Sequence, residues 1–506
     1  MKEPTKLVRV DLQPIGKTIE VPCGASLQDV LCAHGVEFPC GGNGRCRGCR
    51  VRVLSGSLAA VTGGEEILSD REISEGWRLA CRSVATGAVT LEIYQWETPI
   101  LVDNSAFDFT PQEGMGIAVD LGTTTIVVQL LDLWTGHVLG VATDLNPQVS
   151  CGSDVMSRVQ FAATGEGRCL LLNAVRKDVG RMIEDLLRAN PHGERRVRRV
   201  SIVGNTVMHH LFCGIDVDPL AHYPFEPEDE GLRVFRPAEL GWSIEGDPDV
   251  RFLPCLGGFV GSDILAGILA TRMGESNALV ALIDLGTNGE VVLGRRERLL
   301  CASTAAGPAF EGARISMGMR AATGAISEVR VSGDQLLCHV LGNVPPRGIC
   351  GSGLVDAVAA GLNLDIINPS GRLSSGAGEW VLSPPVSLSQ NDVRELQLAK
   401  GAIAAALHIL LSQWGAKSAD VTKVYLAGAF GNYINRSSAR RIGLIDFPDE
   451  KVQPAGNTAL LGAKLSLFTN REDAGYGSLR RQIEHVSLAS DAHFEDVFVE
   501  CMSFPP

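Results

Sequence analysis

Apolar and polar positions alternate with period two over residues 7–12 and again over 17–21, either side of a turn at Pro14 and Gly16. That pattern predicts a β-hairpin. Residues 26–31 change to helical spacing, with Ser26 placed to cap the first turn. Alternation returns over residues 51–54 and 89–94. Beyond residue 115 the pattern is different. Apolar runs of strand length begin near residues 116, 200, 282 and 424, and each ends in glycine or small polar residues. Residues 392–414 carry an apolar stripe (Leu396, Ile403, Leu407, Leu410) at helical spacing, and Gly456, Asn457 and Thr458 open a further helix over 459–468. Strands alternating with helices predict an α/β architecture. Residues 98–114 contain Pro99, Asp103, Asn104, Ser105, Asp108 and Pro111, have no period, and read as a connector. The expected division is a small α+β domain (1–97), a linker (98–114), a large α/β domain (115–470) and a tail (471–506) packed on it.

Bulk properties narrow the function. A chain of 506 residues, 45% hydrophobic and 20% charged, has material for several cores. A net charge of −13 argues against general nucleic-acid binding, which needs a basic surface. The basic run Arg195, Arg196, Arg198, Arg199 reads as a solvated turn. The first residues lack an apolar leader, and no run reaches the roughly 18–20 apolar residues of a membrane span. A cytoplasmic location is therefore expected. Most of the 14 cysteines, such as Cys151, Cys213, Cys255, Cys301 and Cys338, are scattered in apolar contexts and read as reduced core thiols.

Three cysteines are different. Cys40, Cys46 and Cys49 are spaced C-x5-C-x2-C among glycines, and Cys81 is the candidate fourth ligand. Thiolates so spaced can wrap one inorganic cluster, and the glycines let the backbone turn tightly around it. A zinc site and free thiols are the alternatives. Structural zinc usually presents two short cysteine pairs, and only one is here. The order hairpin, helix, cysteine loop, strand resembles a β-grasp ferredoxin. One residue more than the plant-type spacing in the first gap resembles the adrenodoxin-type branch of [2Fe-2S] ferredoxins.

In the large domain a strand ends in Asp120 and turns through Gly122, Thr123 and Thr124. The device recurs at Asp284, Gly286, Thr287 and Asn288. Glycine lets a phosphate approach the backbone, threonine supplies amide and hydroxyl donors, and an aspartate can hold Mg2+ directly or through water. Two copies imply a duplicated fold whose halves face one nucleotide. A third glycine-rich turn, at Gly428, Ala429, Gly431 and Asn432, would border the adenosine. Glu290 could activate water or be an outward strand charge. Asp154 reads as a helix N-cap. His209 and His210 diverge by about 100° on a helix, so one core and one surface placement are expected. Ser303 and Thr304 are expected to bond to local backbone. The motif order resembles the superfamily of acetate and sugar kinases, heat-shock chaperone ATPases and actin, which implies a duplicated ribonuclease-H-like fold.

A ferredoxin-like domain ahead of this ATPase fold resembles the ATP-dependent reductive activators of corrinoid proteins. Residues 203–212, 303–313 and 395–400 carry that resemblance most specifically. It implies an enzyme with a [2Fe-2S] cluster and Mg2+-ATP that reduces cob(II) on a methyl-transfer corrinoid protein to cob(I), drawing on an external low-potential donor. ATP can help only if its binding or hydrolysis discriminates two states of the complex. The longer members carry a middle domain associated with dimerisation. The short linker implies that it is missing here, which leaves a homodimer open. A small-molecule kinase with a regulatory cluster and a redox-regulated chaperone-like ATPase are the competing readings.

Overall fold

The computed structural model describes residues 6–506 except 14–16, 33–48, 61–67, 69, 94–108, 153, 191–195, 287, 313, 320, 322–323, 334, 342–344, 375–377, 432–433 and 470–472. The expectations for Cys40, Cys46, Thr287 and Asn432, and for most of the linker, lie outside the described residues.

The N-terminal hairpin forms, Leu7–Gln13 pairing antiparallel with Lys17–Pro22. Leu7–Gln13 also pairs in parallel with Val89–Ile93. This parallel pair sits at the middle of a five-stranded sheet completed by Arg50–Ser55 and Trp77–Leu79. Val10, Leu12, Val51 and Leu91 close one core with Leu27 and Leu31 of the short helix Leu27–Cys32. A sheet covered on one face by a helix is the β-grasp arrangement.

The large domain contains two six-stranded sheets. In the first, the strands run in the order Val138–Leu145, Thr125–Asp132, Met115–Leu121, Val197–Val203, Asp249–Phe252, Arg233–Phe235. In the second they run Val452–Gly456, Lys423–Ala427, Val280–Leu285, Gly289–Arg295, Arg298–Thr304, Ile483–His485. By order of appearance, the first sheet runs three, two, one, four, six, five and the second, read from its other edge, six, three, two, one, four, five, so both share strands three, two, one, four and one further strand beyond the fourth. Strands one to three pair antiparallel, and the fourth and the strand beyond it add in parallel, in both halves. The duplication read from the repeated turn is therefore a duplication of topology. The basic run expected as a turn instead contributes to the strand Val197–Val203, where Arg199 donates to the Leu467 and Thr469 carbonyls.

Helices Ser262–Thr271 and Thr458–Leu467 lie between the sheets, in a core drawing on both halves. They approach until a Cβ on Gly462 would stand 2.1 Å from the Ala266 carbonyl oxygen. Helix Gln390–Trp414, capped by Ser389, runs under the second sheet. Among the described residues it alone is long and apolar enough to cross a membrane, and 78% of its apolar window is buried inside the protein. The tail packs on this helix. Gln397 Nε2 donates to Met502 O, Lys400 Nζ to Ser503 O, and Phe504 is buried beneath them.

Candidate functional site

Two of the four expected cluster ligands are described. Cys49 directly precedes the strand Arg50–Ser55, and Cys81 lies in the turn Ala80–Arg82 that follows the paired strand Trp77–Leu79. Ala80 N donates to Cys49 O at 2.9 Å. The two sulfurs come within 3.3 Å. Thiols held this close fit a shared inorganic centre.

The expected nucleotide site gathers where the halves meet. Asp120 and Asp284 end the first strand of each half. The N-termini of the two central helices arrive at the same place. Asn457, which caps Thr458–Leu467, donates its side-chain N–H to Asp120 Oδ2 at 2.7 Å. Asp263 lies in the first turn of Ser262–Thr271. Burial raises the pKa of Asp120 to about 6, and that of Asp284 to about 7 with the Asp120 charge adding to it. Asp263 is raised to about 7, first by burial and then by Asp284 and Asp120. Glu290 pairs with Asp284 across the hairpin and is also pushed well up, by burial and by Asp263 and Asp284. Glu290 is not an outward charge: it faces inward, 7% exposed, and accepts from Ser303 Oγ at 3.3 Å. Ser303 thus bonds a carboxylate rather than local backbone.

Four carboxylates that resist ionisation call for a cation. Among the described residues no three acidic, histidine or cysteine groups converge closely enough to ligate a metal directly. This fits Mg2+, which keeps several of its waters and meets carboxylates mostly through them. Two helix N-termini bring partial positive charge to the same spot, where a phosphate is favoured.

Gly122 and Gly286 each close a tight turn. Gly122 N donates to Thr125 O, and Gly286 N to Asn288 O. Thr123 Oγ1 accepts from Asn205 Nδ2 at 2.8 Å. Thr124 O accepts from Asn146 N at 2.9 Å. The third turn is the short helix Gly428–Gly431, which contains Ala429. Gly428 has φ +83°, and a Cβ there would lie 2.6 Å from Asp284 Oδ1. Only glycine fits, so the expected adenosine turn leans directly on an expected Mg2+ carboxylate. Phe430 stacks on Phe310 at 4.8 Å.

Asp154 caps the helix Val155–Ala162, as expected. The histidine expectation needs correction. His209 and His210 are both fully buried, because the whole helix Thr206–Cys213 is enclosed, and burial lowers both pKa values. Residue-by-residue reading missed Asp263, Asn457, Asn205 and Asn146. A signal for Asp263 existed: glycines at 257, 258 and 261, then Ser262 and an acid opening an apolar helix.

Comparison with known proteins follows the same division. Residues 10–86 match the 2Fe-2S iron-sulfur cluster binding domain, 115–276 the RACo middle region, and 278–506 the C-terminal domain of RACo, the ASKHA domain. The match over 115–276 corrects the expected absence of a middle region: the region bearing that name is present, as the first half of the duplicated fold. The chain is 32% identical to the corrinoid activation enzyme RamQ of Eubacterium limosum over 442 residues, covering 81% of this chain and 74% of RamQ. It is 29% identical over 426 residues to the [Co(II) methylated amine-specific corrinoid protein] reductase of Methanosarcina barkeri, covering 77% of each. A solved structure described as a reductive activator for corrinoid,iron-sulfur protein superposes with TM-score 0.68 at 27% identity, covering 98% of both chains.

Proposed function

The chain belongs to the ATP-dependent reductive activators of corrinoid proteins, and from that premise we propose that it returns a corrinoid protein's cobalt from cob(II) to cob(I) at the expense of ATP. It is a corrinoid-activating enzyme with a ferredoxin-like domain, a [2Fe-2S] cluster, an actin-like ATPase domain that takes Mg2+-ATP, and a corrinoid protein as partner. The observation that carries the ATP-dependent part is that Asp120 and Asp284, 164 residues apart, end equivalent strands of the two halves and come close enough for the Asp120 charge to raise the pKa of Asp284.

Cys49 and Cys81, with Cys40 and Cys46, would hold the cluster. When bound, it supplies a one-electron carrier near −400 mV. Asp120, Asp263 and Asp284 would hold the waters around Mg2+, and Glu290 is placed to orient or deprotonate water. The Gly122–Thr124 and Gly286–Asn288 turns would receive phosphates, and the Gly428–Asn432 turn the adenosine. The domain division we propose is 1–97, 98–114, 115–470 and 471–506. An external low-potential electron donor, a cytoplasmic location and a homodimer complete the reading.

The test is direct. The reduced protein is mixed with a corrinoid protein in the cob(II) state, and the visible spectrum is followed with and without Mg2+-ATP. Conversion to cob(I) only with Mg2+-ATP is expected. Equal conversion without nucleotide, or none with it, would sink the proposal.

A further inference from the structure

Arg158 is among the most deeply enclosed side chains of the protein, with no exposure at all, and it forms no ion pair with a carboxylate among the described residues. A buried guanidinium without such a partner is costly, so its hydrogen bonds must be its reason for being there. One of the four reaches the glycine turn, at Thr123, and the others, to Gln148, Gly152 and Met208, seat the guanidinium behind it. Its Nη2 donates to Thr123 O at 2.5 Å, Nη1 to Gln148 Oε1 at 3.2 Å, and Nε to Gly152 O at 2.9 Å. Beside it, Asn146 Nδ2 donates to Gly122 O at 2.9 Å and Asn146 N to Thr124 O at 2.9 Å. Asn146 and Gln148 are themselves buried, and Asn146 Oδ1 accepts from Gln148 N.

Every carbonyl of the Gly122, Thr123, Thr124 turn is therefore held from behind, by groups in the interior of the first half. In a planar trans peptide the N–H points opposite to the C=O. Pulling the Gly122 and Thr123 carbonyls inward turns the Thr123 and Thr124 N–H groups away from that interior, toward the cleft that holds Asp120. Asn205 donates to Thr123 Oγ1 at 2.8 Å, so the hydroxyl proton is left to donate outward.

We propose that Arg158, seated by Gln148 and assisted by Asn146, is a positioning residue that sets this turn's N–H groups for nucleotide phosphate and places a fixed positive charge behind them. The proposal rests on the ATPase reading. Arg158 touches no nucleotide; it acts through Thr123. The element it controls recognises phosphate alone, because the expected adenosine turn at Gly428 belongs to the other half.

The test compares two ligands. In Arg158→Met, ATP affinity measured with Mg2+ by calorimetry should fall by about tenfold, the size of one charge-assisted hydrogen bond. Adenosine affinity should stay within about twofold, below half a kcal/mol. Equal weakening of both ligands marks a merely structural role and overturns the proposal, as does unchanged ATP binding. Arg158→Lys and Gln148→Leu read the same split and replace the first variant if it gives no cooperative melt; loss of the split in the variants that fold overturns it equally. Wild-type protein that binds no Mg2+-ATP would instead overturn the ATPase reading beneath it.

Discussion

Asp120, Asp263 and Asp284 hold their protons to about pH 6 or 7 because burial disfavours their charged forms, with neighbouring aspartate charges adding to the shift of Asp263 and Asp284. The sign for stability follows. Between an unfolded carboxylate pKa of about 4 and these raised values, the folded state binds more protons than the unfolded one, so stability falls as pH rises through that window. In nucleotide-free protein this component of Tm should decline from about pH 4.5 to 7.5, and Asp263→Asn should flatten it. An identical decline in wild type and variant would refute the assignment. Mg2+ competes with those protons, so Mg2+-ATP should bind more tightly at pH 8 than at pH 6, by calorimetry, at values bracketing the shifts. Asp284→Asn should lower ATP turnover by at least about 100-fold while the protein still folds, if Asp284 holds Mg2+ at the reacting centre as proposed. Asp120 and Asp284 were legible in the sequence because each ends a strand in a local motif that occurs twice. Asp263 carried only the weaker signal of an acid opening an apolar helix after glycines, and its place beside Asp120 and Asp284 exists only where its helix meets strands from both halves.

At the scale of elements, the turns tolerate little. Gly428→Ala places a methyl 2.6 Å from Asp284 Oδ1 at φ +83°, and should weaken nucleotide binding by about tenfold or more, with about 1–3 kcal/mol lost from folding. Titration with a fluorescent nucleotide and urea melts check both; wild-type affinity would mean the turn is not at the nucleotide. The long helix Gln390–Trp414 was visible as an apolar stripe, but its partner was not. Its residues Gln397 and Lys400 donate to the carbonyls of Met502 and Ser503, with Phe504 3% exposed below. Phe504→Ala should cost about 3–5 kcal/mol in urea unfolding, as for other large core truncations. A cost under about 1 kcal/mol would show that the tail is not part of this core. The helix Thr206–Cys213 teaches the converse. Its two histidines were expected to diverge to core and surface, yet a helix enclosed on all sides has no surface to offer.

At the scale of the molecule, the electron-carrying and nucleotide-binding parts have different cores, which meet at Val141. Cys49→Ser should therefore remove the visible absorption of the cluster and abolish cob(II) reduction, while Mg2+-ATP affinity stays within about twofold. A parallel loss of nucleotide binding would mean that the two parts do not fold independently. The sequence alone determined the cysteine spacing, the twice-repeated turn, the third glycine turn and the α/β alternation, because each depends on neighbours only a few positions away. It was enough for the fold class and the family resemblance. The tertiary structure alone decided that four carboxylates come close enough for their charges to interact, that Glu290 faces inward, and that Arg158 stands behind Thr123. Those facts follow from desolvation and from contacts between segments as far as 337 residues apart. No local pattern encodes them, because a side chain's charge state and partners are set by what packing brings against it.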